Sequence, residues 1–278
     1  MKIASLIAIL VVVQNVSAFS PASKPALRVT IQPTFQSTIT STTSSSLSFF
    51  NKKVIPEPEP IAIAGIGPEG CALPSPSGIN TLSEPIQASV VLAIFAALGL
   101  STVGFTSFLD TITMNYEWVQ SWRYSWPLLG VIYAAAGVTH FTLSKDYENT
   151  FPTKGAWGVW YLPGSPQFHV QWTGIAEILG GVGLLIGGAY DVFMPVWAEC
   201  PNVITSAGIG SDAAAGLLLL TAVVSPANIF MYTHGAKLPM DGPEVPVVGH
   251  AIRGIFQVVL FGLLYEMGKG SFDAVLNA

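Results

Sequence analysis

The chain has 278 residues, of which 51% are apolar and only 10% charged, with a formal net charge of −5 and a mean hydropathy of +0.56. That balance belongs to an integral membrane protein rather than a soluble globule, and the small negative charge without a basic patch excludes nucleic acid as a partner. Two cysteines, Cys71 and Cys200, lie far apart and form no CxxC, which leaves a disulfide scaffold, a zinc site and a thioredoxin-like redox motif without support.

Residues 1–18 carry Lys2, an apolar run from Ile3 to Val13, and the small residues Val16 and Ala18 ahead of a cleavage point. This is the pattern of a secretory signal peptide, whose apolar part is too short to span a bilayer. Residues 19–53 are rich in Ser and Thr, carry Lys24, Arg28, Lys52 and Lys53, and lack Asp and Glu. That is the composition of a transit peptide; an ordinary disordered linker explains neither the missing acids nor the signal in front of them. The junction VSAFSP, with Phe19 directly after the cut, resembles the signal-plus-transit leaders of algae with complex red-lineage plastids, such as diatoms. The resemblance implies delivery to a plastid membrane, thylakoid or envelope. From Val54 the acids return, with Glu57, Glu59, Glu69 and Glu84 among many prolines and glycines, so 54–84 is expected to be a flexible mature segment.

Apolar windows predict five transmembrane helices near 86–109, 126–143, 171–190, 212–232 and 249–268, each long enough to cross about 30 Å of hydrocarbon. The first belongs to a separate element over 85–110, the others to a membrane domain over 111–270, and 271–278 is a C-terminal tail. If the side facing the N-terminal segment is side A, alternation puts loops 144–170 and 233–248 there. The stretches 110–125 and 191–211 and the C-terminus then lie on side B. Trp118, Trp122, Trp126 and Trp197 fall near side B, and Trp157, Trp160 and Trp172 near side A, as two interfacial aromatic belts. Lys145, Lys154 and Lys237 on side A, against Arg123 and Lys269 on side B, place side A in the stroma-like compartment. Cys71 and Cys200 fall on opposite sides. The stretch NYEWVQSWRYSW (115–126) reads as a helix lying on the side B surface.

Within the third span, TGIAEILGGVGLLIGG (173–188), Glu177 is an anomaly, because a charged side chain in such a run costs about 2.5–3.5 kcal/mol on insertion scales. At 100° per residue it shares a face with Ala176, Gly180, Gly183 and Gly187, while Ile175, Ile178, Leu179, Val182, Leu185 and Ile186 cover the other. Small residues let a neighbouring helix approach, so the glycine face packs and Glu177 points into the bundle. On the last span His250, Arg253, Gly254 and Gln257 form one stripe and Ile252, Ile255, Phe256, Val259 and Leu263 the other. His140, on a stripe with Tyr133 and Ala136, lies near the side A end of its helix. So does Asn228, with Ser225 on the same face. Four helices thus deliver His140, Glu177, Asn228, Arg253 and Gln257 to one depth, with Arg253 expected as the counter-ion of Glu177.

This layer either fixes helix register or forms a ligand or proton site. No residues are assigned to catalysis: Ser/His/Asp and paired-carboxylate geometries have no candidates. No metal site is assigned either, because His140, His169, His234 and His250 show no H-x₃-H or HExxH spacing. His169 is expected in a loop, and the glycine run 180–188 lacks the GK[ST] of a phosphate loop. The aromatic loop GAWGVWYLPGSP (155–166) lies over the polar layer, either as part of the side A belt or as a lid over a pocket for a flat hydrophobic molecule such as a quinone.

The stretches AGVTHF (136–141), TGIAEILGGVGLLIG (173–187), SPANIFMYTHG (225–235) and RGIFQVVLFGLLY (253–265) resemble the DoxX-like family of small membrane proteins over about 120–268. Members often carry a proline between the Arg and Gln of the last motif; here Ile255 stands there, so a straighter helix is expected. The resemblance implies an all-α polytopic membrane protein, a four-helix bundle with one added N-terminal helix. It implies no single activity: some relatives are linked to quinone-dependent sulfur oxidation, others to protein assembly. The expectation is a non-catalytic accessory, assembly or scaffold component of a plastid membrane, in contact with lipid and other membrane proteins. The alternative is a quinone-linked oxidoreductase subunit or a small-molecule carrier.

Overall fold

The computed structural model describes residues 75–116, 126–195, 201–238 and 244–278. The leader with Phe19, most of the segment that follows it, both cysteines, Trp118, Trp122, Trp197 and the core of the surface helix read at 115–126 lie outside the described residues.

Among the described residues all regular structure is helical. The chain forms α1 (Glu84–Asn115), α2 (Trp126–Thr142), α3 (Ser144–Thr150), α4 (Pro166–Phe193), α5 (Ile209–His234) and α6 (Val247–Leu276). Single 3₁₀ turns occur at Ile79–Thr81 and Ala156–Gly158. Four helices, α1, α4, α5 and α6, are long and apolar enough to cross a membrane, which makes this a multi-pass membrane protein.

Several boundaries differ from the expectation. Helix α2 has 17 residues, about 26 Å, short of a full crossing, because the chain breaks at Leu143 into the polar helix α3. Helix α4 starts at Pro166 rather than 171: the Ser165 side chain accepts the Phe168 amide at 3.1 Å, and proline suits the first helical position. His169 is therefore in its first turn, not in a loop. Helix α6 runs unbroken to Leu276 and absorbs most of the tail expected at 271–278. At the other end Ser75 Oγ donates to the Thr233 carbonyl at 3.0 Å and Ile79 is buried, so the last residues of the segment expected to be flexible are anchored on the end of α5.

Glycine decides the packing. A Cβ on Gly137 would lie 2.6 Å from the Gly174 carbonyl oxygen, and one on Gly181 would lie 2.6 Å from both Ala134 N and Gly130 O. Gly130 and Gly137 on α2, and Gly174 and Gly181 on α4, repeat every seven residues, so antiparallel α2 and α4 touch backbone to backbone over two turns. The predicted glycine face of α4 meets α5, with Gly180 against Leu217, Gly183 against Ala213 and Gly187 against Gly210. Ile175, Leu179, Val182 and Ile186 stay exposed, as a lipid-facing stripe should. Leu129, Tyr133, Leu184, Leu217, Leu264 and Met267 form the main core. Leu263, expected on the outer stripe of α6, is buried with them, because α1 lies on α6 through Phe105 and Gly262 and covers part of that face. Elsewhere α1 is open: only Gln87 and Val91 are buried, and Leu92, Leu100, Val103 and Phe108 face outward.

A candidate ligand cavity at the side A end

The side A ends of α2, α4, α5 and α6, together with α3 and the loop 151–165, enclose a cavity of about 360 Å³. Tyr133, Ala136 and His140 line it from α2, Thr173 and Glu177 from α4, Ala227, Asn228 and Met231 from α5, and Arg253 and Leu260 from α6. Four of the five residues singled out in the sequence thus share one space. The fifth, Gln257, is buried on α6 but turns to α5, where its amide donates to Ser225 Oγ.

Glu177 does not pair with Arg253. Its Oε2 lies 3.5 Å from His140 Nε2, while Arg253 Nη1 donates to the Met231 thioether at 2.9 Å. The cause is helix placement. Gly180, Gly183 and Gly187 draw α5 against α4, whereas Gly254 has open space beside it, so α6 makes no close approach there.

The His140 tautomer follows from its other neighbours. Nδ1 is 2.9 Å from the Val170 carbonyl and 3.2 Å from Thr173 Oγ1. A carbonyl only accepts, so Nδ1 carries the hydrogen and Nε2 presents a lone pair to Glu177. Two acceptors face each other unless one more proton sits on the imidazole or the carboxyl. With that proton the pair is net neutral either way. Glu177 Oε2 is buried and has no hydrogen-bond partner. The Tyr147 ring covers the imidazole, centroids 4.1 Å apart, and its hydroxyl shares a 2.7 Å hydrogen bond with Thr139 Oγ1. Burial pushes the Tyr147 hydroxyl above its ordinary value, against the pull of the Thr139 bond.

In the loop over the cavity, Val159, Tyr161 and Leu162 face outward but Trp157 does not belong to an interfacial belt. Trp157 is 2% exposed, packs edge-on against Phe230, and donates Nε1 to Thr233 Oγ1 at 2.9 Å. Those contacts hold it at φ 57°, a left-handed conformation that costs a tryptophan energy. Next to it Gly158 (φ 72°) faces Glu84, where a Cβ would lie 2.9 Å from the side chain, so the first turn of α1 pins the loop. Trp160 turns into the cavity wall with its Nε1 buried and unpartnered. His169 stacks on Phe151 at 4.9 Å, accepts from Trp172 Nε1 at 3.1 Å and donates to the Pro163 carbonyl at 2.8 Å.

Sequence reasoning missed Tyr147, Thr173 and Met231 as site residues. Only Thr173 carried a signal, being one turn before Glu177. Among the described residues no three His, Cys, Asp or Glu side chains converge as metal ligands. What remains is a mostly apolar, aromatic wall with a few convergent polar groups, the make-up of a small-molecule site. No family model, curated protein or solved structure matches the chain.

Proposed function

We propose that this multi-pass protein is a DoxX-like accessory component of a plastid membrane that holds one small lipophilic molecule in the side A cavity. The observation that carries this reading is a mostly apolar cavity faced by Trp160 Nε1, a buried donor without a hydrogen-bond partner, and by Glu177 Oε2, which makes no hydrogen bond and has only the His140 imidazole at 3.5 Å. A cluster that served only helix register would satisfy its own members, since an unpaired buried polar atom costs about 1–3 kcal/mol. The DoxX-like resemblance supports the same place: each of its four motifs contributes to the cavity wall, with His140, Glu177, Asn228 and Arg253 among the residues.

The test is extraction and mass spectrometry of protein purified in mild detergent. Wild type should release a stoichiometric small molecule. Ala227→Trp, which fills the cavity, should release none while still folding. An Ala227→Trp protein that carries the same molecule, or a wild type that carries none, would remove the reading. A quinone serving an oxidoreductase partner is the second reading, favoured by the aromatic side chains of Phe151, Trp160 and Trp172 along the wall. For the plastid address, residues 1–53 fused to a fluorescent protein should reach a complex plastid, and Phe19→Ala should stall the fusion outside it.

A further inference from the structure

The cavity's charges do not balance. The Val170 carbonyl leaves Nε2 of His140 a lone pair toward Glu177 Oε2, and the one proton that relieves this meeting of acceptors makes the pair net neutral on whichever side it sits. That leaves Arg253, whose guanidinium is always charged. Its close polar contact among the described residues is a thioether, and the ion pairs formed there involve other groups: His140 with Glu177, Lys237 with Glu244 at 4.0 Å and Lys269 with Asp110 at 4.0 Å. A sulfur atom is a weak acceptor and offers no negative charge. A half-buried guanidinium with no anion beside it among the described residues is costly, and that cost falls when a ligand brings one. Asn228 lines the same space and adds an amide donor. The remaining wall is mostly apolar or aromatic, with the hydroxyls of Thr150, Thr173 and Thr221 as its neutral polar groups.

We infer that the molecule held in this cavity is an amphiphilic anion, with a single oxyanion head bound by Arg253 and Asn228 and an apolar body against Trp160, Ala136 and Leu260. The inference rests on the reading of the cavity as a ligand site and narrows it. Planar oxyanions are what a guanidinium fork binds best, through two parallel charge-assisted hydrogen bonds. A neutral quinone or an alcohol of the same size fills the space but leaves Arg253 unpaired. The oxyanion can belong to a free lipophilic carboxylate or to the headgroup of an anionic lipid.

The experiment uses the full mature protein in a neutral maltoside detergent, stripped of bound molecules, with tryptophan fluorescence as the signal. Four probes are titrated at pH 8: decanoate, decanol, a short-chain phosphatidylglycerol and a short-chain neutral quinone. Either anion should bind at least about tenfold tighter than decanol and the quinone. That preference should vanish in Arg253→Gln and survive in Arg253→Lys. Tighter binding of decanoate identifies a free carboxylate as the natural head, and tighter binding of phosphatidylglycerol a lipid headgroup. Equal binding of all four probes would overturn the charge argument and leave the cavity reading standing. Binding of none would overturn both. If Arg253→Gln does not fold, the wild-type ratio of decanoate to decanol still decides the matter.

Discussion

Glu177 and Asp212 are both acids sunk into the helix bundle, one at each end, and they are treated in opposite ways. Asp212 Oδ2 accepts the amides of Ile204 and Thr205 at 3.0 and 3.1 Å, and Oδ1 accepts the hydroxyls of Thr205 at 2.6 Å and Ser271 at 2.8 Å. In the first turn of α5 it also meets the positive end of the helix dipole. Its carboxylate therefore ties the loop after residue 201, α5 and α6 into one closed end. Glu177 Oε2 makes no hydrogen bond and has only an imidazole at 3.5 Å, with a cavity in front of it. An acid that is fully satisfied is an architectural part. One left without a hydrogen bond beside a cavity is, on the function proposed above, placed to face a molecule from outside the chain.

The sharpest break of that comparison is in stability. Asp212→Ala strands four donors, and at about 1–3 kcal/mol for each that cannot rehydrate, a loss of roughly 3 kcal/mol or more is expected. Glu177→Gln keeps the shape and offers an amide donor to the His140 Nε2 lone pair at 3.5 Å, and should change stability by less than about 1 kcal/mol. Denaturant unfolding of both variants in the same detergent gives the two numbers. If Glu177→Gln costs as much as Asp212→Ala, Glu177 is a structural acid and the contrast collapses.

Glycine offers a second contrast, between a contact and a gap. Gly137→Ala drives a methyl to 2.6 Å from the Gly174 carbonyl, a backbone atom that yields only if α2 and α4 separate. Overpacking of that kind costs about 1–3 kcal/mol. Gly254→Ala meets nothing within 4 Å and should stabilise α6 by roughly 0.5–1 kcal/mol through the lost flexibility of the unfolded chain. Melting temperatures that move in the same direction for both would contradict the packing described.

These two glycines also show how far the sequence could be read. Hydrophobic runs were enough to locate the long helices, because an apolar stretch of that length has few other fates. The i, i+3, i+4 logic likewise put Glu177 on a packing face. It could not tell which neighbour each face would meet. Gly180, Gly183 and Gly187 choose α5, and the less conspicuous Gly174 and Gly181 choose α2, so His140 rather than Arg253 reaches Glu177. Depth along a helix is legible from the one-dimensional chain; the azimuth of the partner is not. Asp212 escaped notice for a related reason. Its four donors come from a loop and from a residue far along the chain, Ser271, and no spacing motif announces them. Trp157 was placed in a membrane belt by its type alone, and only the Thr233 hydroxyl and the Phe230 ring reveal it as a buried plug.

The smallest expected effect is also the most discriminating. Glu177 and Arg253 share a cavity but no partner, one resting on His140 and the other on Met231. In protein stripped of small molecules, Glu177→Gln and Arg253→Gln should therefore add to within about 0.3–0.5 kcal/mol. The cycle of Glu177→Gln with His140→Gln should deviate by more than that, because each change removes the other's contact. An occupied cavity changes the expectation. A ligand that touches Arg253 with its head and the Glu177 wall with its body links the two sites, and an interaction term should then appear between them. Running the same double-mutant cycle with and without decanoate separates a coupling carried by the ligand from one built into the chain. A large term already present in the stripped protein would mean that the two side chains meet after all, and Arg253 would have its counter-ion within the fold.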